Sequence, residues 1–107
     1  MDQDGGGTDF SASSTVADDR TTVVVRGEVD MSTADAMVQA ATGDRTARAT
    51  IDLRGVTFFD SAAIHALIRL AERFPDGFEV IPSPQVRRVL DISGLSNQPW
   101  LIQGEPT

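Results

Sequence analysis

Ile51-Asp52-Leu53-Arg54-Gly55-Val56-Thr57-Phe58-Phe59-Asp60-Ser61-Ala62-Ala63-Ile64 is the stretch that decides the fold. Ala49–Leu53 is apolar and β-branched enough for a strand. Arg54-Gly55 reads as a turn, and Val56–Phe59 as a second short extended piece. Ser61 then opens a helix in which Ile64, Leu67, Ile68 and Ala71 recur at helical spacing. A strand that feeds a helix in this way is half of a βαβ unit.

The same pattern repeats outward in both directions. Thr22–Arg26 is a β-branched run closed by Gly27. A weaker strand precedes it over Phe10–Val16, with Ala17-Asp18-Asp19-Arg20 as the turn between the two. Ser32 and Thr33 are capping residues, and Asp35 lies in the first turn of the helix they would open. Ala34, Met37, Val38 and Ala41 form its apolar stripe, and Gly43 ends it. After the Ser61 helix, Pro75-Asp76-Gly77 is a breaker and Phe78–Ile81 a strand. Ser83-Pro84 starts a third helix whose apolar face is Val86, Val89 and Leu90, with Gly94 at its end. Trp100-Leu101-Ile102 reads as a last edge strand. The order β-β-α-β-α-β-α-(β) predicts an α/β domain. Its mixed sheet would have four or five strands, an N-terminal antiparallel hairpin, and three to four helices joined by right-handed crossovers.

Composition limits the function classes. A chain of 107 residues builds one core, and residues 1–8, rich in Gly and Asp, read as a flexible leader before a domain over 9–107. No window approaches the roughly 18 consecutive apolar residues of a membrane span. The first residues carry neither a basic nor an apolar stretch, so the sequence points to a cytoplasmic protein without membrane insertion. The net charge of −7 argues against a phosphate-backbone binder, and so against nucleic acid. Cysteine is absent, and all nine basic residues are arginine. Thiolate chemistry and a P-loop or Schiff-base lysine are therefore excluded.

The chemistry-bearing residues gather before two helices. Asp60 and Ser61 arrive at a helix N-terminus, where unpaired backbone N–H groups and the helix dipole favour anions. One reading is a simple N-cap by either residue. A compatible one is a phosphate acceptor at Ser61, where modification would add about −1.5 to −2 charges beside Asp60. Ser61 lacks the G-x-S-x-G elbow of a hydrolase nucleophile, being flanked by Phe59 and Ala63. His65 is one turn along the same helix, but no oxyanion hole is visible, so His65 reads as an exposed polar residue and the chain as a non-enzyme. The acidic loop Gly27-Glu28-Val29-Asp30-Met31-Ser32-Thr33 would lie beside Ser61 if the two strands are neighbours. Asp30 and Asp60 alone lack the third ligand that would argue for a divalent metal.

Taken together, three segments resemble the STAS domain of bacterial anti-sigma factor antagonists. Arg26–Thr33 is similar to the family's G-E-[LV]-D-x-x-[ST] loop, and Ile51–Ser61 to its strand leading into a D-S phosphosite. Val86–Leu95 is similar to its third helix with the S-G-L ending. The resemblance covers about residues 10–103. It implies partner switching in transcription regulation, often in a stress response. In that scheme the unphosphorylated antagonist binds an anti-sigma factor with a GHKL-type serine kinase fold and so releases a sigma factor. Phosphorylation of the serine matching Ser61 separates the pair, and a PP2C-type phosphatase resets it. The implied partner surface is Asp30, Met31, Ser32, Thr33, Asp60, Ser61, Ala62, Ala63 and His65. ATP and Mg²⁺ would belong to the kinase, leaving this chain without a cofactor. The departure is at Ala62-Ala63, where Ser-Gly is common; an alanine methyl there would narrow what docks against the turn. Within the same fold, a STAS protein can instead be an unphosphorylated scaffold subunit of a lipid-transport or stress-sensing complex.

Overall fold

A computed structural model describes residues 9–103; the leader at 1–8 and the last residues, 104–107, lie outside the described part. Strands β1 (Phe10–Ala17) and β2 (Arg20–Val29) are followed by α1 (Ala34–Thr42) and β3 (Arg48–Phe59). Then come α2 (Ser61–Arg73), β4 (Phe78–Pro82) and α3 (Pro84–Ile92). The sheet order is β1-β2-β3-β4, with β1 antiparallel to β2 and the other two pairings parallel. The expected mixed sheet and opening hairpin are present. The hairpin turns on Asp18-Asp19, both at positive φ (55° and 61°), which suits a two-residue connection.

Alternation accounts for the core. In β2, Thr21, Val23 and Val25 point inward, while Thr22, Val24 and Arg26 are half-buried or exposed on the other side. β3 supplies Ala49, Ile51 and Leu53 to the same cluster, and then the step changes: the next buried residues are Val56 and Phe59. Each step of three marks one extra residue in β3, and the register with β2 slips at the same two places.

Those slips correct the expected turn at Arg54-Gly55. The chain continues as one twelve-residue strand through a bulge. Asp52 accepts hydrogen bonds from the Arg54 amide (3.1 Å) and from its guanidinium (3.0 and 2.8 Å), which bends the chain locally. Gly55 lets that bend approach Arg26, whose Cγ would stand 3.1 Å from an added Cβ. Gly and Asp signalled a real kink, but pairing with β2, which continues with Arg26 opposite Gly55 beyond the end of β4, kept it within the ladder.

The helices depart from expectation in three details. On α2 the buried face is Ala63, Ala66, Leu67 and Leu70, while Ile68 is exposed, so the stripe is rotated by about one residue from that expected. Alanine on this face is small enough to let α2 sit close to α1, its packed neighbour. The N-cap position of α1 is Thr33, but neither hydroxyl caps it, and Gly43 leaves in a right-handed conformation. α3 behaves as read: Ser83 caps it by accepting from the Val86 amide (3.1 Å). At its end Gly94, at φ 78°, lets the Leu95 amide reach back to Leu90 O (2.8 Å).

The expected last edge strand reduces to a single bridge between Leu101 and Val80. Trp100 and Leu101 are both buried, whereas a strand would turn consecutive side chains to opposite faces. Trp100 packs at 5.8 Å on Phe78, which stacks at 6.4 Å with Phe74.

Candidate functional site

The parallel pairing of β2 with β3 makes the site. Val29 lies opposite Phe59, and the Asp60 amide reaches Val29 O at 3.4 Å. The two strands therefore end side by side, delivering the Asp30–Thr33 loop and the head of α2 to one end of the sheet, which meets the condition on which the sequence placed the acidic loop beside Ser61.

Asp30 organises its loop. One carboxylate oxygen accepts from the Ser32 amide (2.9 Å), the Ser32 hydroxyl (2.7 Å) and the Thr33 hydroxyl (3.3 Å). The Ser32 hydroxyl, then its amide, hold the Asp30 carboxyl below the usual carboxylate range, so it stays ionised at neutral pH. Thr33 ties the loop to β2: its hydroxyl donates to Glu28 O (3.0 Å) and accepts from the Asp30 amide (2.9 Å). The two hydroxyl residues expected to cap α1 thus brace the loop instead.

At the head of α2 the cap is Asp60, not Ser61. Its carboxylate accepts from the Ala62 and Ala63 amides at 3.0 and 3.2 Å, an arrangement worth about 1 kcal/mol. Ser61 stands exposed in the first turn, and its hydroxyl has no hydrogen-bond partner among the described residues. This changes the expectation for a phosphate there. Two N–H groups of the helix end are already taken by Asp60, so a phosphate would stand outward beside that carboxylate as added surface charge.

Between the loops lies an open hollow lined by Asp30, Met31, Ser32, Phe58 and Asp60. Met31 is 83% exposed and Phe58 48%. Two large apolar side chains reach water here beside the Asp30 and Asp60 carboxylates. Phe58 was not among the residues expected at the site. Consecutive phenylalanines in a strand cannot both face the core, which was the available signal; the second bulge in β3 decides that Phe59 turns in and Phe58 out.

The remaining expected residues divide. His65 is exposed one turn beyond Ser61, and Ala62 is half-buried. Ala63 is fully buried in the core, so its methyl adds nothing to the outer surface and does not narrow what docks there. Among the described residues no three His, Cys, Asp or Glu side chains gather as a metal site would require.

The family model described as "Mlab, STAS domain" matches residues 13–103. An anti-sigma factor antagonist from Mycobacterium paratuberculosis is 30% identical, with a TM-score of 0.76 over 92% of this chain and 87% of that one. The chain belongs to the STAS-domain anti-sigma factor antagonist family. Two further structures share the fold. Unphosphorylated SpoIIAA, an anti-sigma factor antagonist, has 20% identity and a TM-score of 0.68, covering 92% of this chain and 90% of its own. The phosphorylated form of the Bacillus cell-fate determinant SpoIIAA has 19% identity and a TM-score of 0.64, covering 92% and 93%. No match was found among curated proteins. No helix among the described residues of this STAS domain is long and apolar enough to cross a membrane.

Proposed function

We propose that this STAS domain is an anti-sigma factor antagonist that acts as a binding module, not an enzyme, and that Ser61 phosphorylation switches it off. The carrying observation is an exposed Ser61, its hydroxyl without a partner among the described residues, directly after Asp60, which with Asp30 lines an apolar hollow. Unphosphorylated, the surface docks an anti-sigma factor of GHKL-type kinase fold through Met31 and Phe58, and a sigma factor is released in the cytoplasm. A phosphate on Ser61 adds about −1.5 to −2 charges to a rim that already holds two carboxylates, which disfavours a dry contact. Because Asp60 keeps its own cap, the switch works by surface charge and leaves the fold as it is. ATP and Mg²⁺ sit on the partner, and a PP2C-type phosphatase restores the hydroxyl.

The test is incubation with ATP, Mg²⁺ and the kinase-fold anti-sigma factors of the same genome, followed by mass spectrometry. One phosphate on Ser61, and none on Ser61→Ala, is the expected result. An active kinase that binds the chain yet leaves Ser61 unmodified would favour the rival, a scaffold subunit of a lipid-transport or stress-sensing complex.

A further inference from the structure

The two edges of the sheet are treated differently. On the β4 side the edge is short, reaches Pro82 and is closed by the tail: the Val80 amide donates to Trp100 O (2.8 Å) and the Ile102 amide to Val80 O (3.0 Å). On the β1 side, eight residues pair only with β2 among the described residues. Their sequence, Phe10-Ser11-Ala12-Ser13-Ser14-Thr15-Val16-Ala17, carries no charge and no proline, the devices that normally blunt an open edge. Ser13 to Ala17 are all exposed, and Val16 is 49% so.

The phase of the ladder says which groups face outward. Ala17 and Arg20 flank the two-residue turn, so they form the hydrogen-bonded pair that closes it. Bonded and non-bonded pairs alternate along an antiparallel ladder. The Glu28 amide bonding to Asp9 O at 2.8 Å confirms the phase at the far end. Ala17, Thr15, Ser13 and Ser11 therefore spend their backbone groups on β2. Phe10, Ala12, Ser14 and Val16 aim theirs away from the sheet.

We propose that β1 is a self-pairing edge whose occupant is the β1 strand of a second copy, antiparallel about a two-fold axis at Ser14. In that register Ser14 faces Ser14, and Ala12 of each copy faces Val16 of the other. About six backbone hydrogen bonds form, and the two sheets become continuous. The exposed Val16 is covered by alanine on the helix side, while Ser13 meets Thr15 on the open side. No charge opposes a charge between Ala12 and Val16, which a strand from an unrelated protein would match only by accident. The site around Ser61 lies at the ends of β2 and β3, so a dimer presents two copies of it. This pairing does not depend on Ser61 being modified.

The test is sedimentation velocity on the full chain up to about 1 mM, with wild type, Ser14→Pro and Val16→Lys. Ser14→Pro removes an outward N–H without touching a β1–β2 bond; Val16→Lys places a cation at the seam. A wild-type dimer that gives way to monomer in the variants, at unchanged circular dichroism, is expected. Its population should also rise with added salt, which screens the charge of −7 on each copy. A wild type that stays monomeric throughout, or a dimer that survives Val16→Lys, overturns the proposal. If Ser14→Pro fails to fold, Val16→Lys decides alone, because its side chain is already solvent-exposed.

Discussion

Met31→Ala combined with Phe58→Ala should weaken binding to the anti-sigma factor about 30-fold or more, while the melting temperature hardly moves. Met31 stands largely in water and Phe58 about half so, and neither belongs to the buried core, so neither truncation leaves a cavity there. The loss falls on the complex. Apolar anchors at the centre of an interface each cost more than about 1 kcal/mol when truncated, and two together about 2 kcal/mol, which is roughly the stated factor. The rim groups around them, Asp30 and Asp60, exclude water and set charge complementarity without supplying as much energy. Titration calorimetry with the partner measures the first effect, and thermal unfolding the second. A double variant that binds as tightly as wild type would remove the hollow from the interface.

The largest expected loss of stability is at Gly27. Its φ is 92°, a conformation that a β-branched residue adopts only under strain. A Cβ placed there would lie 1.9 Å from Asp9 O, well inside contact distance, on the backbone that leads directly into the adjacent strand. Gly27→Val must therefore part the start of β1 from β2 and distort the residues leading into Asp30. Backbone strain plus the lost Glu28–Asp9 hydrogen bond comes to about 3 kcal/mol. Urea unfolding should show it. Gly55→Ala is the contrast: its added Cβ meets Arg26 Cγ at 3.1 Å, a side chain that can swing away, so its cost stays within about 1 kcal/mol. A Gly27→Val protein within 1 kcal/mol of wild type would show that the close approach of β1 and β2 does not hold the loop.

The sequence carried the element order because each boundary has local chemistry. Ser83-Pro84 is a helix start whatever surrounds it, and Gly94 is a helix end because only glycine takes its φ of 78° easily. That parallel βα units would form was also legible, but the adjacency of β2 and β3 stood only as a condition, which their pairing meets. What was not legible depended on neighbours. Arg54-Gly55 looks the same as a turn or as a bulge until β2 is known to run on past it. Which of Phe58 and Phe59 is exposed follows from a second bulge that has no marker of its own. Ala63 read as a surface residue because the resemblance placed it there; the rotation of α2 buries it, and alanine-rich helices give little sequence signal of rotation. Ser61 and Asp60 were found together, yet their division of labour needed the cap hydrogen bonds.

Ser61 carries the central claim, and affinity is its most direct measure. Wild type, Ser61→Ala and Ser61→Glu should be titrated against the same kinase-fold anti-sigma factor without ATP. Ser61→Ala adds no charge to the rim and should bind within about threefold of wild type, while Ser61→Glu adds a fixed negative charge beside Asp60 and should bind about 30-fold more weakly or worse. Equal binding by the two variants would contradict a charge-controlled switch at this serine.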